Sequence, residues 1–260
     1  MEDPYEESVD FSPDVFDQAF LDAADDDGHV TEVFRSVMGD EYAGEFAPYS
    51  FATRSVLTET VATLDLSPGQ VLVDLACGTG GPGLWLARES GAKLIGIDWS
   101  PEAIRQANRR NAVFSPAGGA SFHVGLLTDT GLEDESADAV VCYDAFQFAP
   151  DPIECVSEIA RILRSGGRFM MSGWNFMHSD EGRTVDLASI VAAGGLVVDS
   201  YTFRPDLLAF EVAIFEAAAR AESGKSRALD NLKEEAEGAL HETRDVHRIL
   251  LSAHKPHNRT

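Results

Sequence analysis

The chain has 260 residues, 44% hydrophobic and 25% charged, enough for one sizeable core and for one or two domains. Its 44 acidic residues outnumber 20 basic ones, and the net charge of −24 argues against nucleic acid or an anionic membrane surface as a partner.

The opening stretch MEDPYEESVD is acidic and lacks the apolar core of a leader peptide. No later run approaches the ~20 apolar residues of a membrane span, so a cytoplasmic protein is expected. Residues 1 to roughly 30 are rich in charge, including Asp25-Asp26-Asp27-Gly28, and read as a partly ordered arm. A short helix is predicted from Thr31, carried by Val33, Phe34, Val37 and Met38; with the arm it makes up a first segment, residues 1–44. Four aromatics follow in a short loop containing glycine and proline: Tyr42, Phe46, Tyr49 and Phe51. They are expected either to cover a bound ligand and exclude water, or to plug the sheet edge. A helix through Ser55 to Leu64 comes next.

The segment Val71 to Gly83, VLVDLACGTGGPG, organises the remainder. It reads as a buried parallel strand ending in Asp74, then a turn through Ala76, Gly78 and Gly80 into a helix. In open α/β sheets small molecules bind outside the carboxyl ends of the strands, where such a turn exposes N–H groups and the start of a helix dipole. A dinucleotide fingerprint is one reading, since Asp98 follows at the right distance. Asp74 argues against it: a carboxylate beside the turn repels a pyrophosphate in a low-dielectric cleft and favours a cationic ligand. The second strand, Leu94 to Asp98, also ends in an acid, and Ser100-Pro101-Glu102 has the form of a helix cap and first turn.

These residues resemble the first motif of class I S-adenosylmethionine-dependent methyltransferases, acid-x-Gly-x-Gly-x-Gly, with Asp74, Ala76, Gly78 and Gly80 in its places and Ala76 replacing the first glycine. The resemblance implies that S-adenosylmethionine is the cofactor, that Asp98 accepts both ribose hydroxyls and that Trp99 lies on the adenine. Many relatives close the third strand with Gly-Asp to hold the adenine amino group, whereas this chain has Gly125-Leu126-Leu127. Backbone of Leu126 or Leu127 then takes that role, with Asp129 as a substitute.

Further strands are predicted at Ser121–Val124, Asp138–Tyr143 and Gly167–Ser172, with a helix at Asp151–Leu163 between the last two. Alternation of buried strands and helices implies an α/β fold with a parallel sheet covered on both faces. Val185–Ala193 reads as a helix, Leu196–Val198 as a sixth strand and Arg248–Ala253 as a last one. The phrase Ala160 to Gly167 also matches the helix and turn before the fifth strand of the resembling superfamily, apart from Ser165 in place of a usual proline. The expected whole is a Rossmann-like, seven-stranded, mostly parallel sheet with an antiparallel last strand. One domain of residues 45–260 is expected, with a helical insertion at about 205–246 that either helps to build an acceptor pocket or forms an exposed helical hairpin.

Methyl transfer from a sulfonium is an in-line displacement, for which alignment and desolvation supply most of the catalysis. In the resembling fold, loops after the fourth and fifth strands face the methyl group. They carry Tyr143, Asp144, Phe146 and Gln147, then Trp174 and His178. Tyr143 is assigned to the cofactor. Phe146, Gln147 and Trp174, with Tyr42, Tyr49 and Phe51, are assigned to the acceptor. Asp144 and His178 are the candidate catalytic groups: His178 as a base or a plain loop histidine, Asp144 as an orienting acid or a helix cap. Cys77, Cys142 and Cys155 are odd in number without C-x-x-C spacing, so neither a disulfide framework nor a metal site is expected. The expected function is methylation of a hydroxyl, amine or carbon of a small molecule. Methylation of protein, or cofactor binding without transfer, are the alternatives.

Overall fold

The computed structural model describes residues 13–44, 50–176, 186–242 and 246–257. Strands β1 (Val71–Leu75), β2 (Lys93–Asp98), β3 (Ala120–Val124), β4 (Ala137–Tyr143), β5 (Leu163–Phe176), β6 (Val197–Phe203) and β7 (Val246–His254) form one sheet in the order β3-β2-β1-β4-β5-β7-β6. Neighbours from β3 to β5 are parallel, while β7 runs antiparallel to both β5 and β6. The order reverses direction at β1, and there the register sets Asp74 between Gly96 of β2 and Val141 of β4. Both acids that end strands, Asp74 and Asp98, therefore emerge at the carboxyl edge beside the topological switch point, where such sheets bind ligands.

Alternation along the strands divides the core in two. Leu72, Leu94, Val141 and Leu250 face α3 (Arg54–Leu64), α4 (Gly81–Ser90) and α5 (Pro101–Phe114). Val73, Leu75, Val140 and Leu251 face α6 (Pro152–Ile162) and α7 (Leu187–Ala193). Each fully buried Leu or Val removes apolar surface from water, about 1.5–3 kcal/mol per side chain. Local chemistry fixes where these helices begin: Thr53 Oγ1 accepts from Val56 N, Ser100 Oγ from Ala103 N, and Asp151 Oδ1 from Ile153 N and Glu154 N. Pro lies in the first turn of α4, α5 and α6, where its missing N–H costs nothing.

Two parts gain detail over the sequence reading. The arm read as partly ordered contains α1 (Pro13–Ala24), which packs against α5 and against α9 (Arg227–Glu242). Its charges sit on one face, and the opposite face, Phe16, Ala19, Phe20 and Ala23, lines a cavity. The helical insertion is α8 (Pro205–Arg220) and α9, which with α2 (His29–Met38) enclose a third cluster including Phe34, Phe215, Leu229 and Leu232. Most strands run one or more residues longer than predicted, β5 and β6 most of all, because antiparallel pairing with β7 continues the ladder beyond the apolar run.

Candidate active site

A cavity of about 430 Å³ opens over the carboxyl ends of β1, β2, β4 and β5. Its floor is the glycine turn. Gly80, at φ 82°, ends the turn in the left-handed region and starts α4. Gly83, one turn into α4, has no room for a methyl group: a Cβ there would lie 2.5 Å from Asp74 Oδ2. The backbone of the helix start is thereby brought against a buried carboxylate.

Asp74 is 2% exposed, and burial pushes its carboxyl up to about 7 even though the Gly83 amide favours the charged form. Its Oδ2 atom has no hydrogen-bond partner among the described residues. Asp98 is 5% exposed; burial raises it to about 6, against the pull of N–H groups from Ser100 at 2.9 Å and Gly78 at 2.8 Å. Two buried acids lining one space give it a negative potential that a cationic ligand relieves. Cys77 sits between them, and burial with both acids holds its thiol well above the ordinary range, so it stays protonated.

Helix α1 roofs this half of the cavity. Phe16 tilts onto Trp99 with ring centroids 5.3 Å apart and meets Phe148 edge-on at 5.3 Å. Phe20 comes close to Gly78. Asp17 accepts from Ser100 Oγ, and from Glu102 N at 3.2 Å, tying α1 to the start of α5. Sequence reading missed this element, because a helix whose exposed face is densely acidic has the composition of a tail. Phe16 and Phe20 at i and i+4 were the available signal.

The other half holds a buried charge network that was not predicted. Arg248, 1% exposed on β7, donates to both Asp144 and Glu211, and its guanidinium lies 4.3 Å from the Trp174 ring centroid. Trp174 Nε1 donates to Glu211 Oε1 at 2.8 Å, and Ser172 Oγ to Asp144 Oδ1 at 2.7 Å. Asp144 and Trp174 both line the cavity and are held in place from behind, while Asp144 Oδ2 keeps no partner among the described residues. Glu235 of α9 also lines the cavity.

Of the sequence-predicted residues, Asp74, Ala76, Gly78, Asp98, Trp99, Leu126, Leu127, Tyr143, Phe51, Asp144, Gln147 and Trp174 line the cavity together. Gly80 shapes the turn without lining it. Tyr143 offers ring rather than hydroxyl, since its OH donates to Thr60 Oγ1 at 2.6 Å. Asp129 is exposed, with its backbone paired to Leu126. Two acceptor assignments are corrected. Tyr42 is buried in the third cluster against Phe34, and Phe146 is buried under the sheet with Cys155 and Ile159; in each case a large apolar ring is taken by the core and turned away from the cavity. Tyr49 and His178 lie outside the described residues.

The sheet order, the antiparallel β7 and a glycine turn between two acids that end strands define a Rossmann-like domain of the class that binds a nucleoside cofactor at the switch point. Residues 73–171 match the family described as "Methyltransferase domain". Tocopherol O-methyltransferase of Arabidopsis thaliana is 37% identical over 103 residues, 40% of this chain and 30% of that protein. Among solved structures, phosphoethanolamine N-methyltransferase 2 of Haemonchus contortus, in complex with S-adenosyl-L-methionine, is 19% identical at TM-score 0.67, covering 91% of this chain and 60% of that one. Geranyl diphosphate C-methyltransferase of Streptomyces coelicolor A3(2) is 18% identical at TM-score 0.60, covering 85% and 88%. The match to that family is confined to residues 73–171, and the fold is the one shared with these solved structures. The chain spans less than half the length of the curated relatives it matches.

Proposed function

We propose that the chain transfers a methyl group from S-adenosylmethionine to a small molecule. The observation that carries this reading is the unpartnered, buried Oδ2 of Asp74 beside a glycine turn and a second buried acid. A ligand bearing an ammonium group satisfies that oxygen, and an ionised Asp74 repels a pyrophosphate. The Gly78 turn lets the ligand lie against backbone, Asp98 accepts the ribose hydroxyls, and Trp99, Leu126, Leu127 and Tyr143 enclose the base and sulfonium. When bound, the cofactor supplies an activated methyl group.

The residues of this chain provide alignment and dryness. Helix α1 roofs the nucleoside, and Phe51 and Trp174 give the acceptor apolar walls. Asp144, fixed by Arg248 and Ser172, orients an acceptor hydroxyl or amine through its free oxygen, with Gln147 beside it. One domain with a helical insertion that helps wall the acceptor site is the organisation proposed, since Glu235 of that insertion reaches the cavity. A net charge of −24 favours small acceptors over nucleic acid or anionic membrane, and a cytoplasmic location is the setting proposed. No helix among the described residues is long and apolar enough to cross a membrane.

The test is incubation with methyl-labelled S-adenosylmethionine and a small-molecule extract. Label recovered in small molecules supports the reading. Label recovered in protein, or transfer to nothing while the cofactor binds, contradicts it.

A further inference from the structure

Four carboxylates line the cavity, Asp74, Asp98, Asp144 and Glu235, and among the described residues no lysine, arginine or histidine does. Three of the four already have work. Asp74 and Asp98 flank the glycine turn, and Asp144 is neutralised by Arg248. Glu235 makes no hydrogen bond and no ion pair with any described residue.

On the elements packed against α9, Asp22 of α1 accepts from Asn231 at 2.9 Å, Arg35 of α2 pairs with Glu32 at 3.4 Å, and Glu211 of α8 is held by Arg248 and Trp174. The Glu235 side chain is exposed and lines the cavity. Confinement there, with the charge of Glu211 adding to it, pushes its carboxyl up to about 7. Helix α9 packs against α8, whose Glu211 is bonded to Trp174.

We propose that the acceptor is an apolar molecule without negative charge that presents an N–H or O–H group to Glu235, and that Glu235 takes the proton from it. The inference rests on the methyltransferase reading. As the nucleophile's lone pair forms the bond to the methyl carbon, the carbon–sulfur bond breaks and its electron pair stays on sulfur as a neutral thioether. The N–H or O–H proton passes to a Glu235 carboxylate oxygen, from which it leaves to solvent when the products depart. Asp144 is already engaged, accepting from Arg248 and from Ser172 Oγ. Phosphorylated acceptors are disfavoured, because an anionic head meets four acids in the cavity.

The test compares three ligands sharing one carbon skeleton, geranylamine, geraniol and geranyl diphosphate, titrated calorimetrically into the full chain saturated with S-adenosylhomocysteine. Geranylamine and geraniol are expected to bind at least tenfold more tightly than the diphosphate. In Glu235→Gln that gap should shrink at least tenfold, with S-adenosylhomocysteine affinity unchanged. Geranylamine affinity in the wild type should fall as pH drops below about 7, and the variant should lack that dependence. Diphosphate binding as tightly as the amine, an undiminished gap in the variant, or no binding of any of the three to the S-adenosylhomocysteine complex overturns the proposal. Failure of S-adenosylhomocysteine itself to bind removes the methyltransferase reading instead.

Discussion

The amide of Gly78 donates to Asp98 Oδ2 at 2.8 Å, joining the glycine turn after β1 to the acid at the end of β2 across twenty positions of sequence. The bond orients a carboxylate that is buried on every side but the cavity, and it rigidifies the floor on which a nucleoside would rest. Each element of the site is similarly held from behind, so each can be disturbed separately.

Gly83 is the closest approach in the floor. In Gly83→Ala the new methyl lies within contact distance of Asp74 Oδ2, and either α4 or Asp74 must shift. Overpacking of this kind costs about 1–3 kcal/mol. Urea unfolding should show that loss, and S-adenosylhomocysteine should bind more weakly because the displaced Asp74 no longer reaches its ammonium group.

Arg248 bridges two acids in a space closed to solvent. Arg248→Met keeps the volume and leaves Asp144 and Glu211 as unpaired buried charges, a loss of about 3–5 kcal/mol. Adding Glu211→Gln and Asp144→Asn to the same protein should recover much of the stability, since neutral groups no longer need the guanidinium. Recovery would be read in denaturant midpoints at constant m-value.

Helix α1 as a roof makes a kinetic prediction. Phe20→Ala removes the ring that comes against Gly78, and Asp17→Ala unties α1 from Ser100. Either change should speed S-adenosylhomocysteine release by about tenfold, corresponding to about 1.4 kcal/mol, with much less effect on association. Stopped-flow displacement measures it directly.

The raised acids set opposite pH trends for stability and binding. Asp74 and Asp98 carry folded-state values of about 7 and about 6 against an ordinary 3.8. Their contribution to stability is fully present below that ordinary value and is lost as pH rises through 6 to 7, because the folded state binds the extra protons. A cationic ligand needs the ionised forms. The unliganded protein should therefore melt at a lower temperature at pH 8 than at pH 5.5, and the gain on adding S-adenosylhomocysteine should widen over the same interval.

How much of this was written locally in the sequence depends on how far apart the partners lie. Val71 to Asp74, the glycines and Leu94 to Asp98 were legible, because a buried parallel strand is a continuous apolar run and a turn approached by a ligand needs glycine. Asp144 was placed through its position after β4, and Trp174 through its position near the carboxyl end of β5. Arg248 was not legible as anything but a strand residue, since its partners Asp144 and Glu211 are 104 and 37 positions away. Glu235 was concealed among the alanines and acids of α9, where only tertiary packing distinguishes the one glutamate that faces a cavity. Phe16 and Phe20 were masked by the charge around them.

The central claim is that Asp98 and the glycine turn bind the nucleoside of S-adenosylmethionine, and calorimetric titration of wild type and Asp98→Ala with S-adenosylhomocysteine tests it most directly. Removing a charged acceptor of two ribose hydroxyls should cost about 2–4 kcal/mol of affinity, roughly 30- to 1000-fold, with NAD and NADP showing no binding to either protein. Equal affinity in wild type and variant, or binding of NAD in place of S-adenosylhomocysteine, would contradict it.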